Sequence, residues 1–232
     1  MKISKCYSSQ TGSSLFIILI AVALFAALSY VISQQRESGK SLSNERTRLL
    51  ASDVIDMGNK LADSVGRLRL RQIANTKISF ENTVVSGYAN AACTTDNCKI
   101  FAFDGGGRDW EKTTLDINSG KEWGFTGDWG IKNMGSDDAD LVAFLPNVTL
   151  DICNRINILI GLYAAGGTPT VIAAATANKF TGAFAGSPVS ITDAQIDGQK
   201  SACIEITAPA GTAFVGTPYS TDYVFYQVLE AR

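Results

Sequence analysis

Histidine is absent from this chain of 232 residues. Its absence removes the Ser-His-Asp and Cys-His arrangements of nucleophilic catalysis and the commonest metal ligand, so most hydrolase readings fall at once. No C-x-x-C pair occurs among the five cysteines, which excludes the thioredoxin-type redox motif and argues against a zinc site of two paired knuckles. The chain carries no internal repeat. Proline is scarce, five in all, and none falls between Gly12 and Lys77. Long apolar runs are scarcer still. Only one exists, and the rest of the chain is organised around it.

That run is 15–32, LFIILIAVALFAALSYVI, eighteen residues interrupted by Ser29 and Tyr30 alone. As a helix rising about 1.5 Å per residue it is about 27 Å long, close to the hydrocarbon thickness of a bilayer. Before it lies a polar leader, MKISKCYSSQTG, with Lys2 and Lys5 and no acid. Lysines on that side predict a cytoplasmic N-terminus and an exported remainder. Three readings fit the segment. A Sec signal peptide has a basic start and an apolar run, with Ala27-Leu28-Ser29 as a cleavage site, although such runs are usually about 7–15 residues long. An uncut membrane anchor fits the length. The third reading rests on the abrupt boundary at Gly12.

A polar leader ending in glycine, followed almost at once by the apolar run, resembles the class III signal of type IV pilins and type II secretion pseudopilins. The resemblance implies that a prepilin peptidase cuts after Gly12, leaves Ser13 as the new N-terminus and keeps the apolar helix on the mature protein. One position departs from the family: its fifth mature residue, usually glutamate, is here Ile17. In the family that carboxylate pairs with the N-terminal amine of a neighbouring subunit, and its loss is tolerated in minor subunits at the filament tip.

Beyond the run, Leu50, Val54, Met57, Leu61, Val65 and Leu68 are spaced by three or four residues and form one helical stripe. Arg46, Arg48, Lys60 and Arg67 fall between them, on sides predicted to face solvent. Gly39, Gly58 and Gly66 each cost a helix about 1 kcal/mol without breaking it. The expectation is one helix of some sixty residues, and the resemblance makes such a helix the spine of the subunit. Near its end, Arg67, Arg69 and Arg71 form RLRLR, read either as a basic patch for a partner or as cations that suit a helix C-terminus.

The net charge of −2 at pH 7 hides an asymmetry. Residues 36–77 hold nine Lys/Arg against five Asp/Glu, net +4, and residues 78–232 hold nine against seventeen, net −8. An acidic head is a poor match for phosphate contacts, so nucleic acid is not an expected partner. In the head, strands are expected at 83–88, 99–103, 113–117, 141–144, 203–207 and 223–229, and a helix at 149–163 that ends before Gly166-Gly167. The alanine-rich stretch 171–177 fits strand or helix.

Cys6 lies in the leader, before the apolar run, where lipidation does not occur. The other four cysteines are an even set in a segment read as exported. Cys93 and Cys98 enclose the turn-like TTDN, which favours a local bridge and leaves Cys153 for Cys203. Two acidic loops, one with Asp104 and Asp109 and one with Asp137, Asp138 and Asp140, are weak calcium candidates beside the simpler reading as solvated turns. Neither matches an EF-hand. No catalytic residue and no other cofactor is expected.

The expected organisation is therefore a leader at 1–12, a transmembrane half-helix at 13–33, an amphipathic half at 34–77 and a periplasmic α+β head at 78–232. The expected fold is pilin-like, a long N-terminal helix packed on an antiparallel sheet. The expected function is that of a non-enzymatic minor pilin or pseudopilin-like subunit, single-pass in a bacterial inner membrane before assembly. Its partners would be other subunits, the prepilin peptidase and that membrane. A single-span periplasmic binding or scaffold protein that never polymerises is the alternative.

Overall fold

The computed structural model describes the backbone of residues 13–173, 175–207, 213–214, 217–218 and 222–232, and the side chains of 15–30, 43–173, 175–207 and 223–232. Gly12 and Cys6 lie outside the described residues, and Ser13 is described in its backbone alone. The chain divides into two compact units, Met1–Arg46 and Thr47–Arg232. Helix α1 (Ser13–Leu70) begins in the first and ends in the second.

In the first unit, the side chains of 15–30 are exposed throughout: Phe16 is 65% exposed, Leu24 62% and Phe25 79%. Among the described residues no helix is long and apolar enough to cross a membrane. This corrects the expected transmembrane segment at 13–33, and with it the single-pass location in an inner membrane. Over the described side chains the apolar segment runs from 15 to 30, sixteen residues or about 24 Å of helix, against a hydrocarbon core of about 30 Å. Residues 31–33, which complete the expected span, lie outside the described side chains.

The second unit opens with the rest of α1, whose apolar stripe is covered. Val54, Val65 and Leu68 are fully buried and Leu61 nearly so, in one core cluster with Ile78, Phe80, Phe125 and Phe225. Arg48 and Arg67 stand exposed, as their places off the stripe require, whereas Lys60 is partly buried and pairs with Asp56 at 2.7 Å. Helix α2 (Leu115–Asn118) is a single turn, and α3 (Leu150–Leu159) is the helix expected after Thr149. The strands are β1 (Gly124–Ile131), β2 (Asp140–Leu145), β3 (Val171–Ala173), β4 (Val189–Ile191), β5 (Ser201–Thr207), β6 (Ala213–Phe214), β7 (Thr217–Pro218) and β8 (Asp222–Glu230).

Six strands form one sheet in the order β3-β5-β8-β2-β1-β4, and β6 and β7 form a separate antiparallel pair. The sheet is mixed, which corrects the antiparallel sheet expected of a pilin-like fold. Its four inner strands pair antiparallel, but both edges are parallel, β3 on β5 and β4 on β1. Each parallel pair is joined through a long stretch of intervening chain, as parallel pairing requires. Both faces of the sheet are covered, so β2 is buried along its whole length. Leu141, Ala143 and Leu145 face the cluster that holds the α1 stripe, while Val142 and Phe144 join Trp129, Ile204, Val224 and Tyr226 in a second cluster. That split follows the two-residue period of a strand.

The strands expected at 83–88, 99–103 and 113–117 do not form. Asn82 Oδ1 accepts the backbone N–H groups of Val84 (2.8 Å) and Val85 (2.6 Å), an Asx turn that competes with strand pairing. Ile100 N–H reaches Ser79 O (2.9 Å), and then the chain turns back through Gly105 N–H to Ala102 O (3.0 Å) and Gly106 N–H to Lys99 O (2.9 Å). Residues 115–118 wind into α2 instead. The disulfides Cys93–Cys98 and Cys153–Cys203 are formed, with Cα–Cα distances of 5.7 and 5.2 Å. Beside the second, Asn157 of α3 donates to Cys203 O (2.7 Å) and accepts from Cys203 N–H (2.8 Å), so α3 is fixed to β5 by a covalent bond and two hydrogen bonds.

Candidate functional site

The 99–111 loop brings Lys99, Arg108, Asp109 and Glu111 together with Phe101, Phe103 and Trp110. Lys99 holds it at one end through Glu81 and Asp96, each at 3.1 Å. Hydrogen bonds to Asp96 first, and then to Glu81, raise the Lys99 pKa above the ordinary lysine value. Gly105 lets the loop fold back on itself, because a Cβ there would lie 2.0 Å from Lys99 O. Phe101 and Trp110 then meet at 5.0 Å between ring centroids, with Phe125 of β1 at 6.0 and 6.2 Å from them. Trp110 Nε1 donates to Glu122 (2.8 Å), which sets the plane of the indole.

Two hollows flank this aromatic wall. The inner one, lined by Met57, Leu61, Phe101, Trp110, Trp123 and Phe125 among others, has about 20 Å³ of free volume, room for about one water. At its rim Arg108 pairs with Glu111, and the Arg108 Nε is buried with no partner among the described residues. The outer hollow is an open groove of about 540 Å³ along Phe101, Phe103 and Trp110, with Glu81, Asp96 and Asp109 on its walls. Phe103 is 94% exposed, an unusual position for a large aromatic side chain. Such a surface offers aromatic faces and carboxylates together, a combination suited to cations carried on an apolar stem.

No protein-family model, no curated protein and no solved structure matches the chain.

The acidic loops singled out in the sequence do not converge on a metal. Asp137 pairs with Lys132 (3.0 Å), Asp138 accepts from Ser136 Oγ (3.1 Å), and the fully buried Asp140 accepts the backbone N–H groups of Ile131 and Arg232, both at 2.9 Å. Burial raises the Asp140 pKa, and the two N–H donors act against that shift. Asp104 contributes its backbone oxygen to Arg71 (2.6 Å), while Asp109 lines the outer groove. Among the described residues no group of three or more His, Cys, Asp or Glu is placed to hold a metal ion. Of the calcium candidates, Asp137, Asp138 and Asp140 meet local donors, and Asp104 and Asp109 stand apart in their roles.

The RLRLR segment serves its own helix end and one loop beyond it. Arg69 Nη1 donates to Ile73 O (2.7 Å) and its Nε pairs with Glu230 (3.0 Å), while Arg71 Nη1 donates to Asp104 O and Gly105 O. The first closes the helix and the second ties down the 99–111 loop. Arg67 is left exposed beside Leu70, itself 87% exposed. No local pattern announces the aromatic wall, because Phe101, Trp110 and Phe125 sit in three separate segments.

Proposed function

We propose that this chain is a structural subunit of pilin or pseudopilin type, of the minor class found at or near a filament tip, and that it works by packing with other subunits. One observation carries the reading. Every apolar side chain described between 15 and 30 is exposed, whereas residues 47–232 have a buried core of their own. A helix apolar on all sides is a buried helix in its working state. Helices of the same kind on neighbouring subunits would cover it.

Two features support the finer assignment. The leader ending at Gly12 has the layout of a prepilin peptidase substrate, with Ser13 at the start of α1. At Ile17, 61% exposed, the segment lacks the carboxylate that mid-filament subunits use to meet a neighbour's N-terminal amine. A tip subunit has no neighbour above it to satisfy.

The test is N-terminal sequencing after co-expression with a prepilin peptidase. The expected product begins at Ser13, and a larger side chain at Gly12 blocks its formation. An intact Met1 beside an active peptidase overturns the assignment. In a filament-forming host, Ile17→Glu should bring no gain in incorporation for a tip subunit.

A further inference from the structure

We propose that the outer groove at Phe101, Phe103 and Trp110 receives the exposed end of α1, Arg67 with Leu70, from a second copy of this chain. The inference rests on the reading of the protein as an assembling subunit and adds a specific contact to it. The groove is aromatic and carries three acids, Glu81, Asp96 and Asp109, against the single base Lys99. Lys99 is already shared by Glu81 and Asp96, whereas Asp109 makes no ion pair among the described residues. On the other surface, Arg67 likewise makes no ion pair among the described residues, and Leu70 stands three residues along the same helix face. At Gly66, next to Arg67, no atom lies within 4 Å of where a Cβ would stand, so the helix surface there is open to an incoming partner.

The two surfaces complement each other in kind. One offers aromatic faces and a carboxylate, the other an alkyl side chain and a guanidinium, which stacks on aromatic rings while pairing with an acid. Their charges agree with the wider division of the chain, net +4 over 36–77 and net −8 over 78–232. One copy leaves both apolar groups uncovered, Leu70 at 87% and Phe103 at 94% exposure.

The experiment is a charge swap on the full chain, read as the concentration midpoint of self-association by sedimentation. Asp109→Arg and Arg67→Glu, each alone, should raise that midpoint about tenfold or more, since like charges then meet across the contact. Thermal melting should stay unchanged, because neither side chain makes an ion pair within the described fold. Mixing the two single variants should restore association, because every contact in an alternating assembly then pairs opposite charges. The chain carrying both changes should associate by itself. Wild-type midpoints for both single variants overturn the contact, as does binding of an oligoarginine peptide in the groove with self-association unchanged, which would assign it to a foreign basic partner. Leu24→Asp separates this from the underlying reading. Association that survives Leu24→Asp sinks the subunit proposal, whereas association lost there and indifferent to the charge swaps sinks only the groove contact.

Discussion

Helix α1 contains two apolar segments with opposite fates. From 15 to 30 its large side chains are exposed on every side; from Val54 to Leu68 a single stripe is buried under the aromatic groups of the second unit. The difference lies in where the apolar residues stand around the helix. A stripe needs one surface to cover it, and Phe80, Phe125 and Phe225 provide that surface within the chain. A segment apolar all round needs several neighbours. The stripe is therefore part of the fold, and the segment at 15–30 is read as an interface.

The largest effect should come from putting the same charge into both segments. Val54→Asp buries an unpaired carboxylate in a fully enclosed position, and should cost about 4 kcal/mol or more of the second unit's stability, read by denaturant unfolding. Leu24→Asp, at a residue 62% exposed, should leave that unfolding transition in place and abolish self-association. A shared loss of stability would show that the two segments do not divide the work as described.

The self-sufficiency of the second unit also depends on its bridges, which differ in span. Cys153–Cys203 has a sequence separation of 50 and Cys93–Cys98 one of 5. In the chain-entropy account these contribute about 4 and about 2 kcal/mol. Cys153→Ser should accordingly lower the unfolding midpoint well beyond Cys93→Ser. Equal losses would mean that the bridges act through local native contacts, such as those Asn157 makes with Cys203, more than through the unfolded chain.

How much of this was legible in the sequence depends on the range of the interactions involved. The stripe from Leu50 to Leu68, helix α3, strands β2, β5 and β8 and the cysteine pairs were readable because each has a local period or a spacing. Strand β1 was hidden by its glycines. Gly124 reads as a turn, yet a Cβ there would meet the Phe144 ring at 2.1 Å, so glycine is what lets β1 lie against β2. The parallel edges were invisible for a related reason, since β3 and β4 have three residues each and their partners are distant in sequence. For the acidic loops, composition shows carboxylates and not what they bind; Asp140 serves two backbone N–H groups.

Tyr88 tests the aromatic cover itself. Its hydroxyl oxygen accepts the Phe125 N–H at 3.1 Å, and burial pushes the phenol pKa up to about 12. Tyr88→Phe leaves that N–H without a partner and should cost about 1–3 kcal/mol at neutral pH. With the folded pKa above the ordinary value near 10, the unfolded state loses the proton first as pH rises. The wild type should therefore lose about 3 kcal/mol between about pH 10 and 12 that the variant does not lose. Unfolding free energies of the pair across that window should converge or cross. Parallel curves would place Tyr88 in water and open the cover over α1.

The smallest effect sharpens the comparison within α1 to a question of sign. Gly58 and Gly66 lie about two turns apart in the same helix, and alanine gains about 1 kcal/mol over glycine in a helix interior. At Gly66 nothing stands within 4 Å of the new methyl, so Gly66→Ala should stabilise by about 0.5–1 kcal/mol. At Gly58 the methyl would meet the Phe225 ring at 3.0 Å and the Gln227 side chain at 3.3 Å. Both neighbours are buried, and Gln227 Oε1 already has no hydrogen-bond partner among the described residues, so neither has an easy retreat. Overpacking of that kind costs about 1–3 kcal/mol, more than the helix gains. Gly58→Ala should therefore destabilise by about 1 kcal/mol while Gly66→Ala does the reverse, both read from chemical unfolding at neutral pH. Two stabilising substitutions would mean that β8 does not press on α1 at Gly58, and that the stripe is covered less closely than the packing of Phe225 requires.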